Sequence, residues 1–365
     1  MSALRFPGLD VLRGVLLVLM ALSHLPTRFR AHSRDVWGLT SAAEGFVLLA
    51  AFLAGYLHTQ RAQSRGFGAV RQHVFARAFK LYQAHLAVFA LAVVLSNARH
   101  QAPALDRWFW FHIEQPLNAL VGATTLIYCP ALFDILPMYM AFLLATPFIL
   151  QVAAARGFGG PLLVSVMLWV ASQFGLVASV RAAGERWLGV PAAEMGAFQW
   201  GAWQLMWVVG LWLGASAARE WVPSVRIPAW ALVLAGALCA ACLGLRYGLF
   251  ELDLERHLPF AVDKWRLGPL RIANLFCLGL LALRFGPRVA RLPWMQAFSR
   301  LGRESLRVFV VHLVMCVLVA LWVDELRDTL TLGQELAIVG ATLFAMAAAA
   351  TSRADLRRFA TLRAS

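Results

Sequence analysis

The chain has 365 residues, of which 61% are hydrophobic and only 14% are charged, and its formal net charge is +14. A water-soluble domain does not need this much apolar surface, and the apolar residues form runs of roughly 17–22, the length of an α-helix that crosses a ~30 Å hydrocarbon core. The basic residues collect in short gaps between these runs, which argues against nucleic acid and favours membrane lipid headgroups and an anionic cofactor as partners.

Eleven apolar segments follow one another along the chain. They are 9–26, 41–58, 81–97, 117–131, 136–153, 161–178, 202–218, 228–246, 269–285, 305–323 and 332–351. The gaps 59–80 and 284–303 hold arginines and no acidic residue, so together with the arginine-rich C-terminal tail they predict the cytoplasmic side. The acidic loops 247–266 and 324–328 predict the outer side. With both termini inside, the number of crossings must be even, so one segment does not cross.

Segment 117–131 is the weakest candidate for a membrane span. It is short, begins after Pro116 and ends at Cys129-Pro130. Non-spanning backbone at membrane depth is tolerated where protein surrounds it. The sequence therefore predicts an all-α, polytopic membrane protein with about ten transmembrane helices, one additional re-entrant or outer-face helix and cytoplasmic termini, as a single domain over 1–365.

Arg13 and His24 lie inside the first apolar segment. Eleven residues correspond to about three helical turns and ~16 Å of rise, so the two side chains share a face. Placing either group in lipid costs a few kcal/mol at roughly the bilayer centre, and such residues usually face a protein interior and have a function.

Glu44 is expected near His24 at the outer end of the second helix. A carboxylate beside an imidazole fixes its tautomer and raises the basicity of the other ring nitrogen. The sequence therefore predicts His24 and Glu44 as a general base in an outward-facing cavity, with Arg13 as the third catalytic residue. The alternative is an interfacial histidine and a glutamate that reaches towards water.

A second cluster of candidates surrounds the start of the third helix and comprises Arg71, Arg77, Lys80, Tyr82 and His85. Arg77 and Lys80 are three residues apart and are expected to share a helix face. One interpretation is topology alone, in which basic residues hold the preceding gap in the cytoplasm. The sharper interpretation is a phosphate-binding patch for a nucleotide-bearing donor, because arginine forks suit pyrophosphate.

A third group of candidates is assigned to the acceptor substrate. Trp203 and Gln204 open an apolar segment at its outer boundary, where they either line an acceptor pocket or pack in the core. His312 lies two turns beyond Ser305 on the same helix face, and it either faces the acceptor or makes a structural hydrogen bond. Asp10 in the first helix completes this set.

Sequence motifs of common soluble enzymes are absent. There is no G-x-x-x-x-G-K-S/T, no H-E-x-x-H and no G-x-S-x-G. The five cysteines are scattered, and the pair Cys239 and Cys242 lies mid-segment among alanine and leucine. We therefore expect helix-packing cysteines and neither a disulfide nor a metal site.

Several stretches resemble the OpgC-type glucan succinyltransferases of the membrane acyltransferase 3 superfamily. They are Leu9-Asp10-Val11-Leu12-Arg13-Gly14 with His24-Leu25-Pro26, Ser41-Ala42-Ala43-Glu44-Gly45-Phe46-Val47, Arg77-Ala78-Phe79-Lys80-Leu81-Tyr82-Gln83-Ala84-His85, Pro137-Met138-Tyr139, Trp203-Gln204-Leu205 and Leu301-Gly302-Arg303-Glu304-Ser305-Leu306. The first two stretches are fairly specific together, and the others support them. One departure is Ala50-Ala51, where the family often has Ser-Gly.

The resemblance implies an integral-membrane O-acyltransferase with a cytoplasmic acyl-CoA donor, most of all succinyl-CoA, and a periplasmic glucan as acceptor. It carries His24 over as the essential base and Arg13 as its same-helix partner, in the bacterial inner (plasma) membrane. Two alternatives stay open: acetyl transfer to another cell-envelope carbohydrate, and transport of an anionic metabolite along the same charged residues. A homo-oligomer is compatible with this prediction.

Overall fold

The computed structural model describes residues 7–98, 102–219, 227–250, 254–324 and 329–351. Within these ranges the chain is built of α-helices and two short 3-10 helices, with no β-strand, so the predicted all-α class is confirmed. The arginines of the C-terminal tail, which predict its cytoplasmic position, lie outside the described residues.

Seventeen α-helices follow one another in the described part of the chain. They are α1 (Pro7–His24), α2 (Phe29–Ser33), α3 (Ala42–Ala98), α4 (Pro103–Trp108), α5 (Trp110–Glu114), α6 (Pro116–Thr124), α7 (Ile135–Arg156), α8 (Gly159–Gln173), α9 (Leu176–Leu188), α10 (Trp200–Ala218), α11 (Ala229–Arg246), α12 (Leu254–His257), α13 (Pro259–Val262), α14 (Pro269–Val289), α15 (Gln296–Arg303), α16 (Ser305–Ala320) and α17 (Leu332–Ala349). The helices of six residues or fewer all lie in connections between longer ones.

Six of these helices are long and apolar enough to cross a membrane by themselves, namely α1, α3, α7, α11, α14 and α17. Helices α8 and α9 together would add a seventh span, and they meet at an angle of 73°. The protein is therefore a multi-pass membrane protein. The number of ten crossings stays a prediction.

Helix α3 is broken at Gly66 into two arms, 42–65 and 67–98. Gly66 has φ 77° and ψ 170°, a backbone conformation that residues with a side chain rarely adopt. The ring centroids of His58 and His73 are only 5.6 Å apart, whereas a straight helix would separate these residues by about 22 Å. The glycine thus folds one 57-residue helix into a hairpin of two arms.

Two glycines let α15 lie directly against α1. A Cβ atom at Gly302 would lie 1.8 Å from the carbonyl oxygen of Asp10, and one at Gly14 would lie 2.0 Å from that of Phe298. Small residues allow such close backbone approach between membrane helices. This contact matters for the site, because it holds the start of α16 beside Arg13.

Ion pairs and hydrogen bonds join several connections at one end of the bundle. Just after α1, Arg28 binds Glu335 at the start of α17, with 2.5 Å between Nε and Oε2. In α4, Arg107 makes hydrogen bonds of 2.7 and 3.0 Å to Asp324, and these bonds raise the pKa of Arg107 above its ordinary value. At the end of α11, Arg246 donates to a backbone carbonyl of α2. These contacts group connections that the sequence predicts on the outer side.

The segment between α3 and α7 packs deep against the second arm of α3. Its helix α6 has nine residues, about 14 Å, which is too short to cross a hydrocarbon core. The Tyr82 hydroxyl donates to the carbonyl of Thr124 at 2.9 Å, and the rings of Phe89 and Tyr128 lie 5.9 Å apart. Tyr82 is about 24 Å along the arm from Gly66, so this segment reaches well into the bundle.

Candidate active site

His24 lies in the last turn of α1 and contacts a second histidine. Its Nδ1 atom is 3.0 Å from Nε2 of His312 in α16, and the two ring planes differ by 20°. His312 is completely buried, whereas His24 is partly accessible. The structure therefore places His312 against the predicted base and not at an acceptor surface, which corresponds to the hydrogen-bonded alternative for this residue.

The predicted pairing of Glu44 with His24 is replaced by a different arrangement. Oε1 of Glu44 accepts hydrogen bonds of 2.6 and 2.8 Å from Arg271, and Oε2 accepts from the amide and hydroxyl of Ser41. Arg271 also binds Asp35 at 2.8 Å. The reason is electrostatic, because a guanidinium that is only 4% exposed needs a carboxylate partner more than a neutral imidazole does. An arginine at the start of the ninth apolar segment was the sequence signal for this pair.

A small pocket, here called the arginine pocket, lies at the level of Arg13. Arg13, Arg77, Tyr139 and Ser305 line it with polar groups, and its other lining residues are apolar. Nη2 of Arg13 donates to the Ser305 hydroxyl, while Nε is buried without a partner among the described residues. Two cations in a mainly apolar pocket with no acidic lining residue favour an anionic group there.

Of the five residues in the predicted phosphate-binding patch, only Arg77 lines this pocket. Arg71 and Lys80 are exposed on the second arm of α3. The Tyr82 hydroxyl makes a hydrogen bond to the last residue of α6, and His85 is completely buried against the segment before α7. The structure does not bring the five side chains together, because they are spread over about four helical turns and point to different sides.

A second, smaller pocket lies beside His24 and is here called the histidine pocket. Trp108 of α4, Pro26 and Cys316 of α16 line it together with small apolar side chains. The imidazole of His24 is thus the principal polar group of this pocket. The histidine pocket lies at the C-terminal end of α1, about three turns beyond Arg13.

Phe309 and His312 separate the two pockets. The Phe309 side chain lines the arginine pocket, and its ring centroid lies 5.5 Å from that of His312 at an angle of 69°. His312 in turn contacts His24, which lines the histidine pocket. Three rings, from Phe309 through His312 to His24, therefore form a continuous row of contacts between the arginine pocket and the histidine pocket.

The remaining predicted acceptor-binding residues lie away from the histidine pocket. Trp203 is completely buried and its Nε1 donates to the carbonyl of Trp265 at 3.2 Å, so the alternative of core packing describes it. Gln204 makes hydrogen bonds to the side chain and the backbone of Ser165 in α8. Asp10 lies against α15 at the other end of α1. In the packed bundle Gln204 joins two helices, Trp203 joins a helix to the connection before α14, and the backbone of Asp10 packs against α15.

The fold and these side chains define a multi-pass α-helical membrane protein with histidine and arginine groups inside its helical bundle. The sequence matches the family model described as OpgC protein over residues 5–356, so the chain belongs to the OpgC family. Membership of this family indicates a glucan-modifying acyltransferase. Comparison with curated proteins and with solved structures finds no match.

Proposed function

We propose that the protein is an integral-membrane O-acyltransferase that moves a succinyl group from cytoplasmic succinyl-CoA to a hydroxyl of a periplasmic glucan, with His24 as general base. The observation that carries this proposal is the position of His24, which lines one pocket and is separated by His312 and Phe309 from a second pocket with two arginines. An acceptor would thus approach His24 from the histidine pocket, whereas a donor held at the two arginines would reach it once the Phe309 ring moves aside.

The topology we propose has ten crossings in the bacterial inner membrane, with both termini in the cytoplasm. The ten spans are the two arms of α3, counted separately, and the helices α1, α7, α8, α10, α11, α14, α16 and α17. Support comes from the contacts of Arg28 with Glu335 and of Arg107 with Asp324. Both pairs join connections that strict alternation of ten spans assigns to the same outer side.

The donor would enter through the arginine pocket. Arg13 and Arg77 would bind anionic groups of acyl-CoA inside the bundle, and the exposed Arg71 and Lys80 would bind phosphates that remain nearer the cytoplasm. Arg13 and His24 are about 16 Å apart along α1, which is comparable with the reach of an extended pantetheine arm. A donor held at Arg13 would therefore be long enough to present its thioester near His24 once the Phe309 ring moves aside.

The chemical step would use Nε2 of His24. This atom takes the proton of a glucan hydroxyl while the oxygen attacks the thioester carbonyl carbon, and the tetrahedral intermediate then collapses with loss of the CoA thiolate. The proton on His24 passes to that thiolate, so the products are the glucan ester and free CoA. Positioning of the two substrates and general-base help of roughly 10²–10⁴-fold would supply the acceleration.

The decisive experiment offers succinyl-CoA and periplasmic glucan to the purified protein in detergent, with release of free CoA thiol and the mass of the glucan as readouts. His24→Ala should lower kcat by about 10²-fold or more. His32→Ala is the matched control, because His32 is an exposed histidine at the same end of the bundle. A folded His24→Ala protein with the parental rate would overturn the proposal. If the glucan instead gains the mass of one acetyl unit when acetyl-CoA is offered, the donor is acetyl-CoA and not succinyl-CoA.

A further inference from the structure

We propose that His312 is a positioning residue that holds His24 in the tautomer whose Nε2 atom is free to accept a proton. The inference rests on the proposed function, in which His24 is the base. It assigns to an imidazole the role that the sequence predicts for Glu44. It also replaces the predicted contact of His312 with the acceptor.

The contact between the two rings has the geometry of a hydrogen bond. Nδ1 of His24 and Nε2 of His312 are 3.0 Å apart, within the usual range for nitrogen donors and acceptors. The ring planes differ by only 20°, so a proton on one nitrogen can lie along the lone pair of the other. The contact joins α1 to α16, whose positions are fixed by helix packing.

The direction of this hydrogen bond decides whether His24 can act as a base. A neutral imidazole carries a proton on one nitrogen and a lone pair on the other. If Nδ1 of His24 donates to His312, then Nε2 of His24 has a lone pair and can take the acceptor's proton. If His312 donates instead, Nε2 of His24 already carries a proton and cannot act.

The surroundings of His312 favour a neutral acceptor. The ring is completely buried, Phe309 covers it on one side, and the backbone of Phe309 is a hydrogen-bond partner of the ring. A backbone carbonyl can only accept, so a proton on Nδ1 of His312 leaves its Nε2 as the acceptor that faces His24. An unpaired charge at such an enclosed position is costly, so the neutral imidazole is the form that fits. The oxygens of Glu44 are occupied by Arg271 and Ser41.

In the reaction the hydroxyl proton moves to Nε2 of His24, which becomes an imidazolium. The Nδ1 proton of His24 stays on that atom and donates to Nε2 of His312, which stabilises the positive ring as it forms. The proton on Nε2 then moves to the departing thiolate, and His24 returns to the same tautomer. His312 neither gains nor loses a proton in this cycle.

The test compares kcat and KM for three variants of the purified protein. His312→Leu removes the acceptor and should lower kcat about 10²-fold with little change in KM for acyl-CoA. His312→Gln offers a carbonyl oxygen to Nδ1 of His24 and should recover at least about tenfold of that loss. His58→Leu is the matched control, because His58 is a second buried histidine in a long helix, outside both pockets, and it should keep the parental kcat.

Two results would overturn the positioning role. One is a parental kcat in folded His312→Leu, and the other is an equal loss in His312→Leu and His312→Gln. If His24→Ala is inactive while His312→Leu is not impaired, only this inference fails, whereas an active His24→Ala refutes the proposed function itself. Should His312→Leu not fold, ¹⁵N NMR of the parental protein gives the tautomer, with the His24 signals assigned by their loss in His24→Ala. A proton on Nε2 instead of Nδ1 would contradict the inference.

Discussion

Arg13 and His24 share one face of α1 but belong to different pockets. Their spacing of eleven residues places them in register along the helix. The arginine pocket contains Arg13, and the histidine pocket contains His24 about three turns further on. In the proposed reaction they therefore act on different parts of one donor molecule, Arg13 on an anionic group and His24 at the thioester end.

This division of roles predicts a specific kinetic effect at Arg13. Arg13→Lys keeps the charge but loses the planar fork that reaches Ser305 and the pocket, so KM for acyl-CoA should rise about tenfold while kcat changes less. Steady-state kinetics with varied donor concentration measures both. Arg156→Lys, an exposed arginine at the end of α7, is the matched control. An unchanged KM in Arg13→Lys would show that the guanidinium of Arg13 does not contribute to binding of the donor.

Glu44 is predicted to stabilise the fold through Arg271. Glu44→Gln leaves a guanidinium that is 4% exposed with Asp35 as its one remaining ion-pair partner in the described part of the chain, so the free energy of unfolding should fall by about 3 kcal/mol. Glu335→Gln removes a pair in which Arg28 is 56% exposed and should cost about 1 kcal/mol or less. Thermal unfolding in detergent compares the two.

The outcome at Glu44 also separates the structural role from the catalytic role that the sequence predicts. If Glu44→Gln unfolds at the parental temperature but loses kcat, Glu44 belongs to the catalytic machinery and the ion pair with Arg271 is incidental. If the protein is destabilised and the folded fraction keeps its kcat, the Glu44 carboxylate has a structural role, namely its ion pair with Arg271.

At the level of whole helices, one face of α16 runs past both pockets. Ser305 and Phe309 line the arginine pocket, His312 binds His24, and Cys316 lines the histidine pocket. Their spacings of four, three and four residues place all four on one side of a helix. Helix α16 and the facing side of α1 therefore supply most of the path between the two pockets.

The Phe309 ring is predicted to keep water in the histidine pocket away from a thioester held in the arginine pocket. Phe309→Ala joins the two pockets, so hydrolysis of acyl-CoA in the absence of glucan should rise severalfold while transfer to glucan falls. Release of CoA thiol with and without acceptor measures both rates. Val310→Ala, on a neighbouring face of α16, is the control. Equal hydrolysis in Phe309→Ala and the parental protein would show that the ring does not close the path.

At the scale of the whole molecule, ten alternating spans predict which exposed positions lie on which side. Trp187 in α9 is 87% exposed and belongs to the outer side, whereas the exposed Ser64 beside Gly66 belongs to the cytoplasmic side. In a variant whose own cysteines are replaced, a membrane-impermeant maleimide should label Trp187→Cys in right-side-out vesicles and Ser64→Cys only after permeabilisation. Labelling of both before permeabilisation would contradict the ten-span topology.

Much of the fold is readable from local patterns. The apolar runs predict the long helices, and the shortness of segment 117–131 agrees with the nine-residue α6. The break of α3 at Gly66 is less visible, because a single glycine in a basic stretch is compatible with a loop or with a continuous helix. Its backbone conformation becomes informative only when the two arms pack against each other.

The candidate site also has features that the sequence predicts and features that only the packed structure reveals. Residue types and spacing by themselves determined that Arg13 and His24 share a face, as do Ser305 and His312, because these relations lie within single helices and follow from 3.6 residues per turn. Only the tertiary structure decided that His24 meets His312, 288 residues away in sequence, and that Glu44 meets Arg271. Which helices become neighbours depends on close contacts such as Gly302 against Asp10 and on the need of each buried charge for a partner. Those are properties of the packed bundle, and no periodicity within one helix encodes them.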